Sequence, residues 1–377
     1  IRVGYAVRSI TQLKSKSKKK YLVTADVGDD SLSIIPFKGN KPKKRKIIKL
    51  PPKSAPIGVR AINLGKKNDY HDSLWIAVFN FDDTGKYFND TYLCYIDEIE
   101  MISSDLIPNF KKVLSREGYW GFRCINSYKA DDGTNYIATV DRSKDLLYII
   151  ELSEGYKSIN ENIYKVNLSY KTDPAEPIFV GIIPPIKKDE TPLFCINQRH
   201  KSDLTIVSKV RDTKYEIIKR IDLGDASRSS VAIGNFRNKL SYDMAIALWG
   251  GDPKDLNSVC YGKVAILYSD KNRNFNLPVF IKAGVHPTDV VAGDFDGDGL
   301  DELAVLNYGS GLAPTDRIHP GDIQIFKYIE NTFKNISRIK VPYPRIGLSL
   351  DIDEDGKDEL VVSLFFEKRL VIIKHRN

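Results

Sequence analysis

Residues Gly293–Leu303 read GDFDGDGLDEL, five carboxylates and three glycines in one short loop that runs straight into the apolar stretch LAVLNY. Turns of this kind hold Asp294, Asp296, Asp298 and Glu302 within a few ångströms of one another, where like-charge repulsion demands a cation. Asp at positions 1, 3 and 5, Gly at position 6 and a carboxylate at position 9 suit a hard ion with many oxygen ligands, Ca²⁺ better than Mg²⁺. On this reading Asp294, Asp296, Asp298 and Glu302 ligate through side chains and Leu300 through its carbonyl. The helix-flanked calcium hand is excluded, because its twelfth position falls on Val305, inside the apolar stretch.

A second copy follows. The segment LDIDEDGKDELVVSLF supplies Asp351, Asp353, Asp355, the Lys357 carbonyl and Glu359, and again enters an apolar strand. A recurring loop asks for a period. Taking Leu303 and Leu360 as anchors, the same "polar loop, then short apolar strand" signal recurs upstream at Met244, Leu193, Ile137, Leu74 and Leu22. The seven anchors lie roughly 50 to 65 residues apart, the range of a four-stranded repeat with variable connections. Each repeat reads as two apolar strands around the polar loop, a third strand after a variable connection, and a more polar fourth. Many short strands with little 3.6-residue periodicity predict an all-β fold, a seven-bladed β-propeller of four-stranded antiparallel blades. The blades are expected near 1–51, 52–115, 116–170, 171–224, 225–284, 285–343 and 344–377, one domain throughout. The chain ends after RLVIIKH, so the last blade is predicted to lack its outer strand within this chain: either residues before Ile1 complete it, or it stays three-stranded with an exposed edge, and a processed or partial N-terminus is expected.

The GDFDGDGLDELAV and DIDEDGKDELVV motifs resemble the FG-GAP, or integrin-α-like (VCBS-type), repeat. The resemblance implies a seven-bladed propeller with two structural Ca²⁺ sites in blades six and seven. Extracellular calcium modules work at dissociation constants of about 10⁻⁴ to 10⁻³ M, which predicts an extracytoplasmic protein: secreted, periplasmic or at the cell surface.

Lys and Arg number 57 against 49 Asp and Glu, a net charge of +8. The excess gathers in blade one. LKSKSKKKY carries Lys14, Lys16, Lys18, Lys19 and Lys20, and KGNKPKKRK carries Lys38, Lys41, Lys43, Lys44, Arg45 and Lys46. Both segments are turns at the same end of the blade, so the two runs are expected to meet as a patch for an anionic surface. Nucleic acid fits poorly, because no stacking aromatics interleave with these lysines. In blade five Arg237 and Lys239 stand at ligand positions, so Asp243 is expected to be satisfied internally rather than by metal.

Long connections rich in Gly, Pro and aromatic residues mark the opposite face as the recognition face for a protein or glycan ligand, with Tyr87, Phe88, Trp249, Tyr308, Asp316, Arg317 and His319 as its side chains. No nucleophile motif accompanies the scattered histidines, which favours a non-catalytic adhesion or assembly module. A lectin or a polysaccharide lyase acting on acidic glycans is the alternative. No apolar run is long enough to span a membrane as a helix. Cys94, Cys124, Cys195 and Cys260 lack metal-type spacing and read as small buried hydrophobes.

Overall fold

A computed structural model describes residues 1–15, 19–64, 72–78, 91–96, 111–116, 121–153, 162–170, 174–188, 190–199, 201–224, 227–250, 260–310 and 319–375. The fold is a seven-bladed all-β propeller, and among the described residues a single 3₁₀ turn, Val27–Asp29, is the only named helix.

The chain divides into two compact units, Ile1–Ile182 with Lys209–Glu216, and Ile183–Ser208 with Ile217–Asn377. The first unit contains three complete blades. Blade one is β1 (Val7–Lys14), β2 (Lys20–Asp26), β3 (Ser31–Lys38) and β5 (Lys46–Lys49), with a short extension, β4 (Lys41–Pro42), folded back on the end of β3. Blade two is β6 (Pro56–Asn63), β7 (Asp72–Val78), β8 (Thr91–Ile96) and β9 (Lys111–Arg116). Blade three is β10 (Phe122–Lys129), β11 (Asn135–Asp141), β12 (Leu146–Leu152) and β13 (Ile163–Asn167). A fourth sheet, β14 (Pro177–Ile183), β15 (Leu193–Gln198), β16 (Asp203–Arg211) and β17 (Lys214–Asp222), contributes strands to both units.

The second unit holds blade five, β18 (Ser227–Gly234), β19 (Asp243–Leu248), β20 (Tyr261–Leu267) and β21 (Val279–Val285), and blade six, β22 (Pro287–Gly293), β23 (Glu302–Asn307), β24 (Asp322–Ile329) and β25 (Thr332–Lys340). Blade seven has three strands, β26 (Pro344–Leu350), β27 (Glu359–Leu364) and β28 (Arg369–Ile373).

Second strands carry a central apolar run, such as LAVL of β23, because they are covered on both faces. Every residue of β11, β15, β19, β23 and β27 is buried. The core is accordingly laid down in layers between successive blades. Leu13, Val23, Ile34, Val59, Leu74 and Ile76 form the layer between blades one and two, and Val291, Ala304, Leu306, Ile323, Leu360 and Val362 the layer between six and seven. Fourth strands face water on one side and turn polar, as in TFKNISRIK of β25. All four cysteines are free thiols, Cys94 and Cys195 buried.

The first strands carry a second device. β1, β6, β10, β18, β22 and β26 each shift register near their start, at Val7/Ser9, Pro56/Gly58, Phe122/Ile125, Ser227/Val231, Pro287/Asp289 and Pro344/Gly347. The bulge turns one side chain toward the next blade. Where that residue is polar it accepts a backbone N–H from the neighbouring first strand. Ser9 Oγ takes Val59 N at 3.1 Å, Cys124 Sγ takes Val180 N at 3.2 Å, Ser230 Oγ takes Val290 N at 3.2 Å and Asp289 Oδ2 takes Gly347 N at 2.7 Å. Ser9→Ala is expected to cost about 1 to 2 kcal/mol, because a half-buried N–H loses its acceptor. Urea unfolding measures this directly, and a loss within error would mean that water replaces the hydroxyl.

Candidate cation loops and basic end

The blade-six loop joins β22 to β23. Asp294 closes its turns, Oδ1 accepting Gly297 N and Oδ2 accepting Gly299 N, both at 2.8 Å. Gly297 and Gly299 have φ of +81° and +84°, a conformation that penalises a side chain. Asp298 Oδ1 accepts Leu300 N at 2.9 Å. Glu302 begins β23 and is 1% exposed. Its Oε2 accepts Phe295 N at 2.9 Å and Asp296 N at 3.3 Å, so the carboxylate is fixed with Oε1 turned toward the loop acids. Asp294, Asp296 and Glu302 bring ligand-type oxygens within 4.8 Å of one another.

The blade-seven loop repeats the plan. Asp351 accepts Asp355 N at 3.2 Å and Gly356 N at 3.0 Å, Asp355 accepts Lys357 N at 2.9 Å, and Glu359 Oε2 accepts Ile352 N at 2.7 Å. Asp351, Asp353 and Asp355 bring carboxylate oxygens within 4.8 Å of one another. All-oxygen donor sets anchored this way fit a hard divalent ion, and the buried Glu302 carboxylate, whose Oε1 takes no backbone donor among the described residues, fits it further. Leu300 and Lys357, each two residues past the third Asp of its loop, are half-buried.

Two lysines that the loop motif does not contain complete the arrangement. Lys327, at the end of the core run of β24, places Nζ against Asp296, at 2.7 Å from Asp298 Oδ2 and at 3.1 Å from Glu302 Oε1. Lys374, just past β28, contacts Asp353 and Glu359. Burial pushes the Glu302 carboxyl up, opposed by Lys327, while the Lys327 hydrogen bond holds Asp298 down. Burial works against the Lys327 ammonium, yet its three carboxylate partners hold it above the ordinary lysine range. A cavity of about 330 Å³ opens beside Phe295, Asp296, Glu302, Ile339 and Lys374.

The fifth acid of the motif has a different task. Asp301 N donates to Asn235 O at 3.2 Å and Asp301 Oδ2 accepts Asn235 N at 2.7 Å, so this residue ties the blade-six loop to that of blade five. Asp358 stands at the same place in blade seven and donates its N–H to Asp294 O at 2.8 Å. The motif therefore encodes a ligand-type cluster and an inter-blade latch together.

In blade five the expected internal pairing is present. Arg237 Nε and Nη2 each lie 2.8 Å from an oxygen of the fully buried Asp243, and the guanidinium sits 4.5 Å from the Tyr268 ring centroid.

At the basic end, Lys14 pairs with Lys20 across β1 and β2, and Tyr21 pairs with Pro36 across β2 and β3. The two turns thus share one end of the blade. Lys14, Lys19, Lys38, Lys41, Lys43, Lys44 and Lys46 are exposed, Lys20 and Arg45 half-buried, and Lys16 and Lys18 lie outside the described residues. Arg45 leans inward, Nη1 reaching Ser33 Oγ at 3.4 Å.

The recognition-face residues are distributed differently from the expectation of a presented aromatic surface. Trp249 is 7% exposed and stacks on His286 at 4.5 Å. Tyr308 is 9% exposed and packs on Tyr343 at 5.1 Å, with Arg345 5.7 Å from its centroid. Both rings are wall rather than surface, because buried neighbours cover their faces. His319 is half-buried against the exposed Tyr261. Tyr87, Phe88, Asp316 and Arg317 lie outside the described residues.

Solved structures share this fold. BBS1N in complex with ARL6DN matches at 10% identity, with a TM-score of 0.59 over 99% of this chain and 92% of that one. A functionally unknown protein from Desulfotomaculum acetoxidans DSM 771 matches at 8% identity and a TM-score of 0.55, over 100% and 92% of the two chains. The periplasmic gluconolactonase PpgL of Pseudomonas aeruginosa matches at 9% identity and 0.53, over 90% and 86%. At these identities the likeness is one of fold. No family model and no curated protein matches the chain. No helix among the described residues is long and apolar enough to cross a membrane.

Proposed function

We propose that this protein is a non-catalytic assembly module of the integrin-α-like repeat class, working outside the cytoplasm, whose blade-one end docks on an anionic surface. The observation that carries the reading is the turn between β3 and β5. Lys38, Lys41, Lys43 and Lys44 are exposed there, and none pairs with a carboxylate among the described residues. The β4 extension pairs Lys38 with Lys41 and Phe37 with Pro42, so the charges sit on an ordered hairpin. Unneutralised charge of one sign on a fixed scaffold attracts a surface of the other and steers its approach.

Two of the fold neighbours give this reading company: BBS1N is described in a complex with another protein, and PpgL is described as periplasmic. In the calcium part of the proposal, Asp294, Asp296, Asp298 and Glu302, and Asp351, Asp353, Asp355 and Glu359, would hold the ions. Bound calcium would supply charge neutralisation and fix the turns.

Each lysine near an anionic bilayer contributes about 1 kcal/mol, so replacing Lys38, Lys41, Lys43 and Lys44 by Gln is expected to weaken binding to phosphatidylserine vesicles by about 10² to 10³-fold. Co-sedimentation at low and high salt is the measurement. Parent protein that ignores these vesicles at low salt, or a variant that binds as well as the parent, would sink the docking proposal.

A further inference from the structure

Lys327 and Lys374 occupy one and the same position of the repeat. Leu303 pairs with Phe326 and Leu360 pairs with Ile373, and each lysine is the next residue along. Each ammonium lies among carboxylates that a divalent ion would need, those at positions 3, 5 and 9 of the blade-six loop and 3 and 9 of the blade-seven loop. An ion cannot coordinate Glu302 and Asp296 while an ammonium stands between them, because the two cations would share the same oxygens and repel.

Blade five argues the same point independently. Tyr268 takes the lysine position, since Met244 pairs with Leu267, and the cation comes instead from Arg237 at position 3 of the loop. Three successive blades therefore bring a basic side chain to the carboxylate that opens the second strand: Asp243, Glu302 and Glu359.

We infer that Lys327 and Lys374 are the resident cations of the blade-six and blade-seven loops, and that calcium enters only by expelling them. The inference rests on the proposed calcium reading of those loops. The lysines then set the threshold of the sites: binding must repay two or three charge-assisted hydrogen bonds before it gains anything, and it releases an ammonium toward solvent. Both side chains have a way out, being 21% and 44% exposed, and the cavity beside Glu302 and Lys374 gives an ion a way in.

The experiment compares the parent, Lys327→Met, Lys374→Met and the double variant by ⁴⁵Ca equilibrium dialysis, and by thermal melting in chelator and in about 1 mM calcium. Each single variant reports its own loop should the double variant fail to fold. Expected are calcium affinities at least tenfold above the parent's in the altered loop, a melting temperature below the parent's in chelator, and recovery when calcium is added. The parent should melt nearly alike in both conditions. Equal calcium affinity in parent and variants would overturn the resident-lysine inference while leaving the calcium reading intact. Folded variants that bind no calcium would overturn both.

Discussion

Arg237→Ala is expected to destabilise the protein by about 3 to 5 kcal/mol, the range found when one partner of a buried ion pair is removed. Asp243 has no exposed surface, and its carboxylate is served by Arg237 Nε and Nη2 and by Ser269 N, each at 2.8 Å. The same guanidinium donates to Ser269 O at 2.7 Å. Truncation leaves a buried carboxylate with one backbone donor, a buried carbonyl without its partner, and the Tyr268 ring uncovered. The cost belongs to the stranded charge more than to the pair itself. Hence Arg237→Ala combined with Asp243→Asn should recover a good part of the loss, and a double-mutant cycle by urea unfolding should show coupling of about 2 kcal/mol or more. Additive losses would mean that Asp243 finds another cation or water once Arg237 is gone. Calcium should not rescue the single variant, because this loop offers Asn235 and Lys239 where the acidic loops offer carboxylates.

The repeat was legible because of one physical circumstance: a second strand covered on both faces needs an apolar run along its middle. Leu22, Leu74, Ile137, Leu193, Met244, Leu303 and Leu360 all fall at or near the start of β2, β7, β11, β15, β19, β23 and β27. The loops were legible too, since alternating Asp with Gly at fixed offsets has few uses. What the loops contact was not. Lys327 and Lys374 follow the apolar pairs Ile325–Phe326 and Ile372–Ile373, and a lysine closing a strand reads as solvated charge. Only the pairing of the third strand with the second carries it over the acids. Aligning Lys327 with Lys374 across the repeat is the signal that would have found them. Asp301 and Asp358 were hidden differently: inside a run of acids nothing marks which one faces the neighbouring blade. Trp249 and Tyr308 show the converse limit, for an aromatic residue at a loop mouth serves packing and presentation equally well until its neighbours are known.

Asp289 gives a pH dependence that can be isolated by substitution. It is 4% exposed, and burial pushes its carboxyl up to about 6, opposed by the Ser230 hydroxyl, Gly347 N and Val290 N. An unfolded-state aspartate titrates near about 3.9. Between about pH 4 and 6 the folded protein therefore binds more protons than the unfolded chain, so stability from this group falls as pH rises through that window and levels off above it. A shift of about two units corresponds to about 3 kcal/mol between the ends. Asp289→Asn removes the ionisation and keeps an acceptor for Gly347 N, so the stability difference between parent and variant should move by that amount from pH 4 to 7, in the variant's favour at pH 7. Asp289→Ala is a different experiment. It strips the acceptor from Ser230 Oγ, Val290 N and Gly347 N together, and with about 1 to 3 kcal/mol for each group left unsatisfied the loss should exceed about 3 kcal/mol even at pH 4. Val290 N keeps Ser230 Oγ as a second acceptor at 3.2 Å, so Gly347 N and the hydroxyl carry most of that loss. A parent-minus-Asn difference that stays flat across the range would mean that the first strands of blades five, six and seven are joined through an ionised carboxylate stabilised by the charge of Arg345, which also acts on it from β26. In that case Arg345→Ala should restore the pH dependence that Asp289→Asn failed to reveal.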